Sequence, residues 1–215
     1  MLFRSALLAA SLALVEALPL FLTWVGGFLL LGPLLAVGVY EASRQMAIPR
    51  PVTLRDVAVA PVAARGQLAF AGACLLLVFF VWLRVALLLF MLFIGTNAIP
   101  PPSEFVQLLL FTPHGLGLLV VGTAVGALFA AIVFATTVLA IPLLLTKRVD
   151  VLNAAAASVN AVRLNAKPMA LWAALIVVIM GAGFATFLLG LVVAFPLIGH
   201  ATWHAFADVY GEADR

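Results

Sequence analysis

The chain contains 215 residues, of which 67% are apolar and 9% are charged, whereas a soluble globular domain has roughly 45 to 50% and about 25%. A mean hydropathy of +1.30 and apolar runs longer than the roughly 20 residues that cross the hydrocarbon core indicate an integral membrane protein. The composition excludes an ordinary cytosolic protein. The solid apolar runs also exclude a transmembrane β-barrel, whose strands would alternate apolar and polar residues.

Positive charge is concentrated in two short loops, 44–66 and 146–168, within a chain of 11 Lys and Arg against eight Asp and Glu. The positive-inside rule explains this pattern, so we expect both loops in the cytoplasm and no nucleic-acid partner. The connection 95–113 has no basic residue and is expected on the opposite side. The single Cys74 excludes a disulfide framework or a thiolate metal site within one chain.

Hydropathy predicts one all-α integral membrane domain, residues 1–215. The first apolar run contains Glu16 and leads through Pro19 into the next, which favours a short membrane helix over a cleaved signal. The last run is either a hairpin turning near Gly190 or one tilted span followed by an interfacial helix, and the hairpin is preferred. We therefore expect about six transmembrane helices rather than five, at 3–17, 20–41, 67–95, 115–145, 169–188 and 190–206.

Each basic loop is predicted to contain a short amphipathic helix on the cytoplasmic membrane surface. In the second loop, Asp150 occupies an N-cap position and apolar residues then recur at helical spacing. In the first loop, residues 54–57 open in a similar way. Such helices rest on the lipid headgroups rather than crossing the bilayer. Both halves have the same order of features: a span with a proline step, a basic stretch, an Asp, an Ala- and Val-rich segment and a further span. This shared order predicts an internal duplication.

Two ionisable residues lie inside apolar runs, Glu16 in the first and Arg84 in the third. A charged group at membrane depth normally faces the interior of a bundle and finds a partner, so this pair is a candidate functional site. The alternative is that Arg84 extends to the headgroups and that Glu16 caps a turn before Pro19.

His200 and His204 form an H-x-x-x-H pair, which places two imidazoles on one helix face in a geometry suited to metal or haem ligation. Asp208 or Glu41 could supply a further ligand. The alternative is that these residues, with Trp203, anchor a span among the headgroups. The residues do not otherwise specify a cofactor.

Gly122, Gly126 and Ala130 form a stripe of small residues that predicts close helix packing, within the chain or with a partner. Proline steps such as Ile141-Pro142 could kink spans and expose carbonyls to a cation. The sequence contains no nucleophile elbow, phosphate-binding glycine loop or zinc-protease motif, so we expect no enzymatic activity.

Several stretches carry a family resemblance. They are Phe28–Ala36 with Gly38, Tyr40-Glu41 and Ser43-Arg44, then Val149-Asp150, Ser158–Val162, Trp172–Ile176 and Pro196–His204. Together they resemble a bacterial family of integral membrane proteins catalogued as domain of unknown function 2189, some of whose members are labelled as cytochrome c oxidase subunit I-like. The chain has only three His residues, too few for a haem-copper oxidase core. The resemblance implies a bacterial inner-membrane protein of a family without an established activity, and an accessory or assembly role beside such an enzyme stays open.

These observations lead to three functional hypotheses. The first is a non-enzymatic accessory or assembly subunit that packs against a larger respiratory or energy-transducing membrane complex, or against another copy of itself. The second is a transporter or channel for a small solute or metal ion, based on Glu16, Arg84, the proline steps and the two His residues. The third is a metal- or haem-binding membrane protein.

Overall fold

A computed structural model describes residues 18–46, 53, 62–95, 102–186 and 188–211. Within these ranges the chain folds into α-helices and contains no β-strand, which confirms the all-α class. In chain order the helices are α1 (Leu18–Leu35), α2 (Val37–Met46), α3 (Arg65–Ile94), α4 (Pro102–Phe111), α5 (Pro113–Thr137), α6 (Ala140–Thr146), α7 (Val151–Leu164), α8 (Ala166–Ala185) and α9 (Leu191–Gly211).

Four helical segments in the described part of the chain are long and apolar enough to cross a membrane: Val25–Met46, Arg65–Ile94, Pro113–Thr146 and Ala166–Ala185. They match four of the six predicted spans. The predicted span 3–17 and the predicted surface helix at 54–57 lie outside the described residues. The last predicted span corresponds to α9, which is long enough to cross but is less apolar because it carries His200, His204 and Asp208.

Element boundaries differ from the sequence expectation at several places. The helix that contains the predicted span 20–41 continues to Met46, so Arg44 belongs to a helix rather than to the basic loop. The predicted connection 95–113 contains the helix α4, which the sequence analysis missed. Pro102 stands at its first position, where the absence of an N–H costs nothing, and Glu104 follows in the first turn.

The hairpin predicted near Gly190 is present. Helix α8 ends at Ala185, a short turn follows, and α9 begins at Leu191 and packs back on α8. The Thr186 Oγ1 atom accepts a hydrogen bond from Gly190 N at 2.8 Å. A Cβ atom at Gly190 would lie 2.9 Å from Gly183 Cα, so the turn lies too close to the end of α8 for any residue larger than glycine at position 190.

The described chain divides into two compact units. Unit 1 takes residues up to 30 and 77–130, and unit 2 takes residues 31–76 and 131 onward. In unit 1, Phe79 and Trp82 of α3 lie against Gly27 and Gly26 of α1, where the missing side chains leave room for the aromatic rings. In unit 2, the short helix α6 is buried on all sides and forms the centre of the core with residues from α2, α7, α8 and α9.

Candidate functional site

The helical run of α5 and α6 is interrupted at Val138 and Leu139, just before Pro142. Proline has no N–H to donate to Val138 O, and its ring clashes with that carbonyl, so the helical ladder opens one turn earlier. The bond that would join Leu139 N to Ala135 O is absent. The Ser158 hydroxyl of α7 replaces it, accepting from Leu139 N at 3.2 Å and donating to Ala135 O at 2.8 Å.

The described end of the first basic loop lies close to the start of the second in unit 2. Ala63 N and Ala64 N donate to Leu145 O and Leu144 O, at 3.0 and 3.2 Å, and so satisfy carbonyls at the end of α6. Gln67 Oε1 accepts a hydrogen bond from Val151 N at 3.0 Å, at the start of α7. Residues 62–66 and the start of the second loop therefore lie at the same end of this unit.

Asp150 caps α7 as predicted. Its carboxylate accepts from Asn153 N at 2.9 Å and also from the Asn153 side-chain amide. These hydrogen bonds favour the charged carboxylate and hold the pKa of Asp150 below its usual value. The second predicted surface helix is thus present, with Ala154, Ser158 and Ala161 on its buried side.

A buried carboxylate lies at the end of the first described span. Glu41 is fully buried and receives a bidentate contact from Arg44, with Nε and Nη2 at 2.8 and 2.7 Å from the two carboxylate oxygens. Gln45 Nε2 donates to the same carboxylate at 2.6 Å. Charge pairing and hydrogen bonding are what make a buried carboxylate tolerable at this depth.

Helices α2 and α9 approach closely where α9 carries a glycine. A Cβ atom at Gly199 would lie 2.7 Å from Val39 Cγ1, so only glycine fits without moving one helix. Next to this contact, His200 Nδ1 lies 2.5 Å from Ser43 Oγ. The Ser43 hydroxyl itself donates to Val39 O at 3.0 Å, so the arrangement is satisfied when Nδ1 carries the proton and donates to the serine.

The predicted metal ligands are not assembled into a larger set. His200 is half-buried against Ser43, whereas His204 and Asp208 are exposed. Glu41, the other possible ligand, is held by Arg44. Among the described residues no group of three His, Cys, Asp or Glu side chains is placed to hold a metal ion. Ligation by His200 and His204 stays a prediction that rests on two imidazoles alone.

Of the two predicted intramembrane charges, Glu16 and Arg84, the structure describes only Arg84. Glu16 lies outside the described residues. Arg84 lies on α3 with its side chain exposed, and it forms no ion pair with any residue that the structure describes. This placement agrees with a side chain that extends along the span toward the headgroups, the alternative stated for Arg84.

The small-residue stripe on α5 points away from the packed side of that helix. A Cβ atom at Gly117 would lie 2.6 Å from Phe93 Cε1, which marks the side of α5 that faces α3. At 100° per residue, Gly122, Gly126 and Ala130 lie about 140°, 180° and 220° around the helix from Gly117. A Cβ atom at Gly122 or Gly126 would meet nothing within 4 Å. Among the described residues of unit 1, no other helix packs against the stripe.

Sequence reasoning missed Gln67 and Ser158, which join elements of unit 2, and Gln45, which bonds to Glu41 within α2. Glu41 was considered as a possible metal ligand and as part of the family resemblance, but not as a buried ion-pair residue. One signal was available: Ser158 follows Ala154 by four residues and precedes Ala161 by three, so a lone hydroxyl stands on the small-residue face of a predicted helix. That pattern indicates a buried serine, but it does not indicate which backbone groups the serine contacts.

Comparison with known protein families identifies a family model that fits this chain. The family model described as "Predicted integral membrane protein (DUF2189)" matches residues 20–146, more than half of the chain. The resembling stretches after residue 146, including the segment with His200 and His204, lie beyond the matched residues. No curated protein and no solved structure matches significantly. The chain therefore belongs to this family of integral membrane proteins.

Proposed function

We propose that this protein is a non-enzymatic accessory or assembly subunit of a larger complex in the bacterial inner membrane. The observation that carries the proposal is the stripe of Gly122, Gly126 and Ala130, which faces away from α3 on α5 and whose two glycines meet no described residue of unit 1. A helix face that contacts only lipid chains could carry leucine and valine as well as glycine and alanine, so lipid contact alone does not explain the stripe. Small residues differ because they let a second helix backbone approach closely, which is the main driving force for helix association in a membrane.

The proposed partner is a respiratory or other energy-transducing complex. This choice rests on the cytochrome c oxidase subunit I-like label carried by some members of the resembling family. The proposed orientation places the loops 44–66 and 146–168 in the cytoplasm, following their basic residues. We place the end of α9 on the same side, a choice supported by Tyr210, which is near Lys147 in unit 2.

The transport hypothesis receives less support from the site. Its sequence basis included carbonyls freed by proline kinks, but Ala135 O beside the Pro142 break is already occupied by the Ser158 hydroxyl. Arg84 has no partner among the described residues, and the two His residues do not gather a third ligand there. The lack of a third ligand near His200 and His204 among the described residues also weakens the metal- or haem-binding hypothesis.

The test is purification of tagged full-length protein from native membranes in mild detergent, with mass spectrometry of the eluate. We expect a larger membrane complex to co-purify in fixed stoichiometry. The double variant Gly122→Leu, Gly126→Leu should lose this complex while the protein still accumulates, because the larger side chains block close approach.

The matched control is Val120→Leu, since Val120 is 68% exposed on α5 and lies well away from the stripe. This variant should retain the complex. Elution of the wild-type chain alone, or only as a homo-oligomer, would contradict the proposal. Retention of the complex by the double glycine variant would show that another surface forms the contact.

A further inference from the structure

Four cationic side chains of unit 2 are exposed and form no ion pair with any described residue: Arg65, Arg148, Arg163 and Lys167. Arg65 is the first residue of α3, and Arg148 precedes α7. Arg163 stands in the last turn of α7, and Lys167 is the second residue of α8. The cations therefore flank both ends of α7.

Backbone contacts bring these segments together along α7. Ala64, the residue before Arg65, donates its N–H to Leu144 O. Gln67, two residues after Arg65, accepts a hydrogen bond from Val151 N, three residues after Arg148. Arg65 and Arg148 are therefore near the same end of α7. Helix α7 has 14 residues, so the second pair of cations begins about 20 Å further along. The acidic residue near the first pair, Asp150, already accepts two hydrogen bonds from Asn153.

Ser158 determines which side of α7 faces outward. Because its hydroxyl is bonded to Leu139 N and Ala135 O, the side of α7 that carries Ser158 must lie against the α5–α6 break. The opposite side exposes Arg163 together with Leu152 and Leu164, each of which is 76% exposed. Exposed leucines beside exposed cations are typical of a helix that lies at the boundary between headgroups and acyl chains.

The cations also stand where membrane spans begin. Arg65 opens the apolar span Arg65–Ile94, and Lys167 lies at the start of Ala166–Ala185. Phe70, about one turn further into the first of these spans, is 54% exposed. Because they stand at the starts of two spans, we expect the side chains of Arg65 and Lys167 at the depth of lipid phosphates.

We propose that this surface, which we name the α7 rim (Arg65, Arg148, Leu152, Arg163, Leu164 and Lys167), binds the headgroups of anionic phospholipids. The guanidinium groups and the Lys167 ammonium would pair with phosphate oxygens, and the two leucines would contact the first methylenes of the acyl chains. Exposed leucines beside two spans favour a lipid over a nucleic acid or a soluble acidic peptide. This surface is separate from the α5 stripe.

The test is native mass spectrometry of the purified full-length protein with cardiolipin, phosphatidylglycerol or phosphatidylethanolamine added at equal concentration. Each cation near an anionic surface contributes roughly fivefold in affinity, so the two anionic lipids should bind at least about tenfold more tightly than phosphatidylethanolamine. The variant Arg65→Gln, Arg148→Gln, Arg163→Gln, Lys167→Gln should lose this preference. Arg84→Gln, which removes an exposed cation outside the rim, should keep it.

Two further arms make the test decisive. If the quadruple variant does not fold, the pairs Arg65→Gln, Arg148→Gln and Arg163→Gln, Lys167→Gln should each lose part of the preference. Leu152→Ser with Leu164→Ser should weaken lipid binding, and millimolar inorganic phosphate should not displace the lipid. Equal binding of all lipids by the wild type, an unchanged preference in the cation variants, or displacement by phosphate would each overturn the proposal.

Discussion

At position 158 a side-chain hydroxyl occupies the place of one backbone hydrogen bond. The Ser158 Oγ atom bonds to both Leu139 N and Ala135 O, the two groups that a continuous helix would join to each other. Leu139 is completely buried, so no water can take over if the hydroxyl is removed. A single residue of α7 thereby stabilises the break between two other helices.

We expect Ser158→Ala to lower the free energy of unfolding by about 2 kcal/mol or more, because a buried N–H and a carbonyl lose their partner. Thr136→Ala is the control, since the Thr136 hydroxyl contacts only carbonyls of the preceding turn and its loss leaves no buried N–H unpaired. This control should change stability by no more than about 0.5 kcal/mol. Unfolding by heat or by denaturing detergent measures both changes.

Pro142 is the reason that Leu139 N and Ala135 O need the Ser158 hydroxyl, because the proline opens the helix at this point. In a Pro142→Ala background the helix can close the Leu139 to Ala135 bond by itself, so Ser158→Ala should cost less there than in the wild type. An additive double variant would show that the hydroxyl does not act through the helix break. Faster hydrogen exchange of the Leu139 amide in Ser158→Ala would locate the effect at that residue.

At the scale of elements, glycines determine which helices approach closely. Gly199 brings α9 against Val39 of α2, whereas Gly181 on α8 has open space where a side chain would stand. Both glycines lie inside helices, where alanine is intrinsically favoured by roughly 1 kcal/mol. Whether alanine stabilises or destabilises the protein at each position therefore depends on whether the neighbouring atoms leave room for its methyl group.

We expect Gly199→Ala to destabilise the protein by about 1 to 2 kcal/mol, because the added Cβ atom overlaps both Val39 Cγ1 and Val39 Cβ. Gly181→Ala should be neutral or stabilising. Adding Val39→Ala to Gly199→Ala should recover part of the loss, because alanine lacks the Cγ1 atom but keeps the Cβ atom at 3.0 Å. Thermal unfolding in detergent provides the comparison, and equal effects at the two glycines would show that α2 and α9 do not meet as described.

At the scale of the whole molecule, sidedness follows from which ends share unit 2. Phe206 belongs to the same core as Leu145, and Tyr210 packs against that core near Lys147. Burial raises the pKa of Tyr210, and the Lys147 charge opposes that rise. The end of α9 therefore lies beside the second basic loop, as the hairpin arrangement requires.

In a Cys74→Ala background, cysteines at Asn160 and Asp208 should both react with a membrane-impermeant maleimide from the cytoplasmic side. Both side chains are exposed, on α7 and α9. A cysteine at Glu104, in the connection without basic residues, should react from the opposite side. Labelling of the Asp208 and Asn160 positions from different sides would contradict the hairpin.

The residue pattern alone determined the membrane class, the all-helical fold and the Asp150 cap, and it favoured the turn near Gly190 over a single tilted span. These features depend on local properties: hydropathy over about 20 residues, helix-capping chemistry and the backbone freedom of glycine. The family resemblance also came from short stretches of sequence. Local patterns are sufficient for such features because each helix satisfies its own backbone groups within the bilayer.

Only the tertiary structure decided which distant residues meet. It placed Ser158 at the helix break, joined Gln67 to Val151, and set His200 against Ser43. It also left the stripe of Gly122 and Gly126 facing outward. In a sequence this rich in apolar residues every helix face is similarly hydrophobic, so hydropathy does not determine how the helices rotate and pair. That choice is made by a few buried polar bonds and close glycine contacts between helices far apart in the chain.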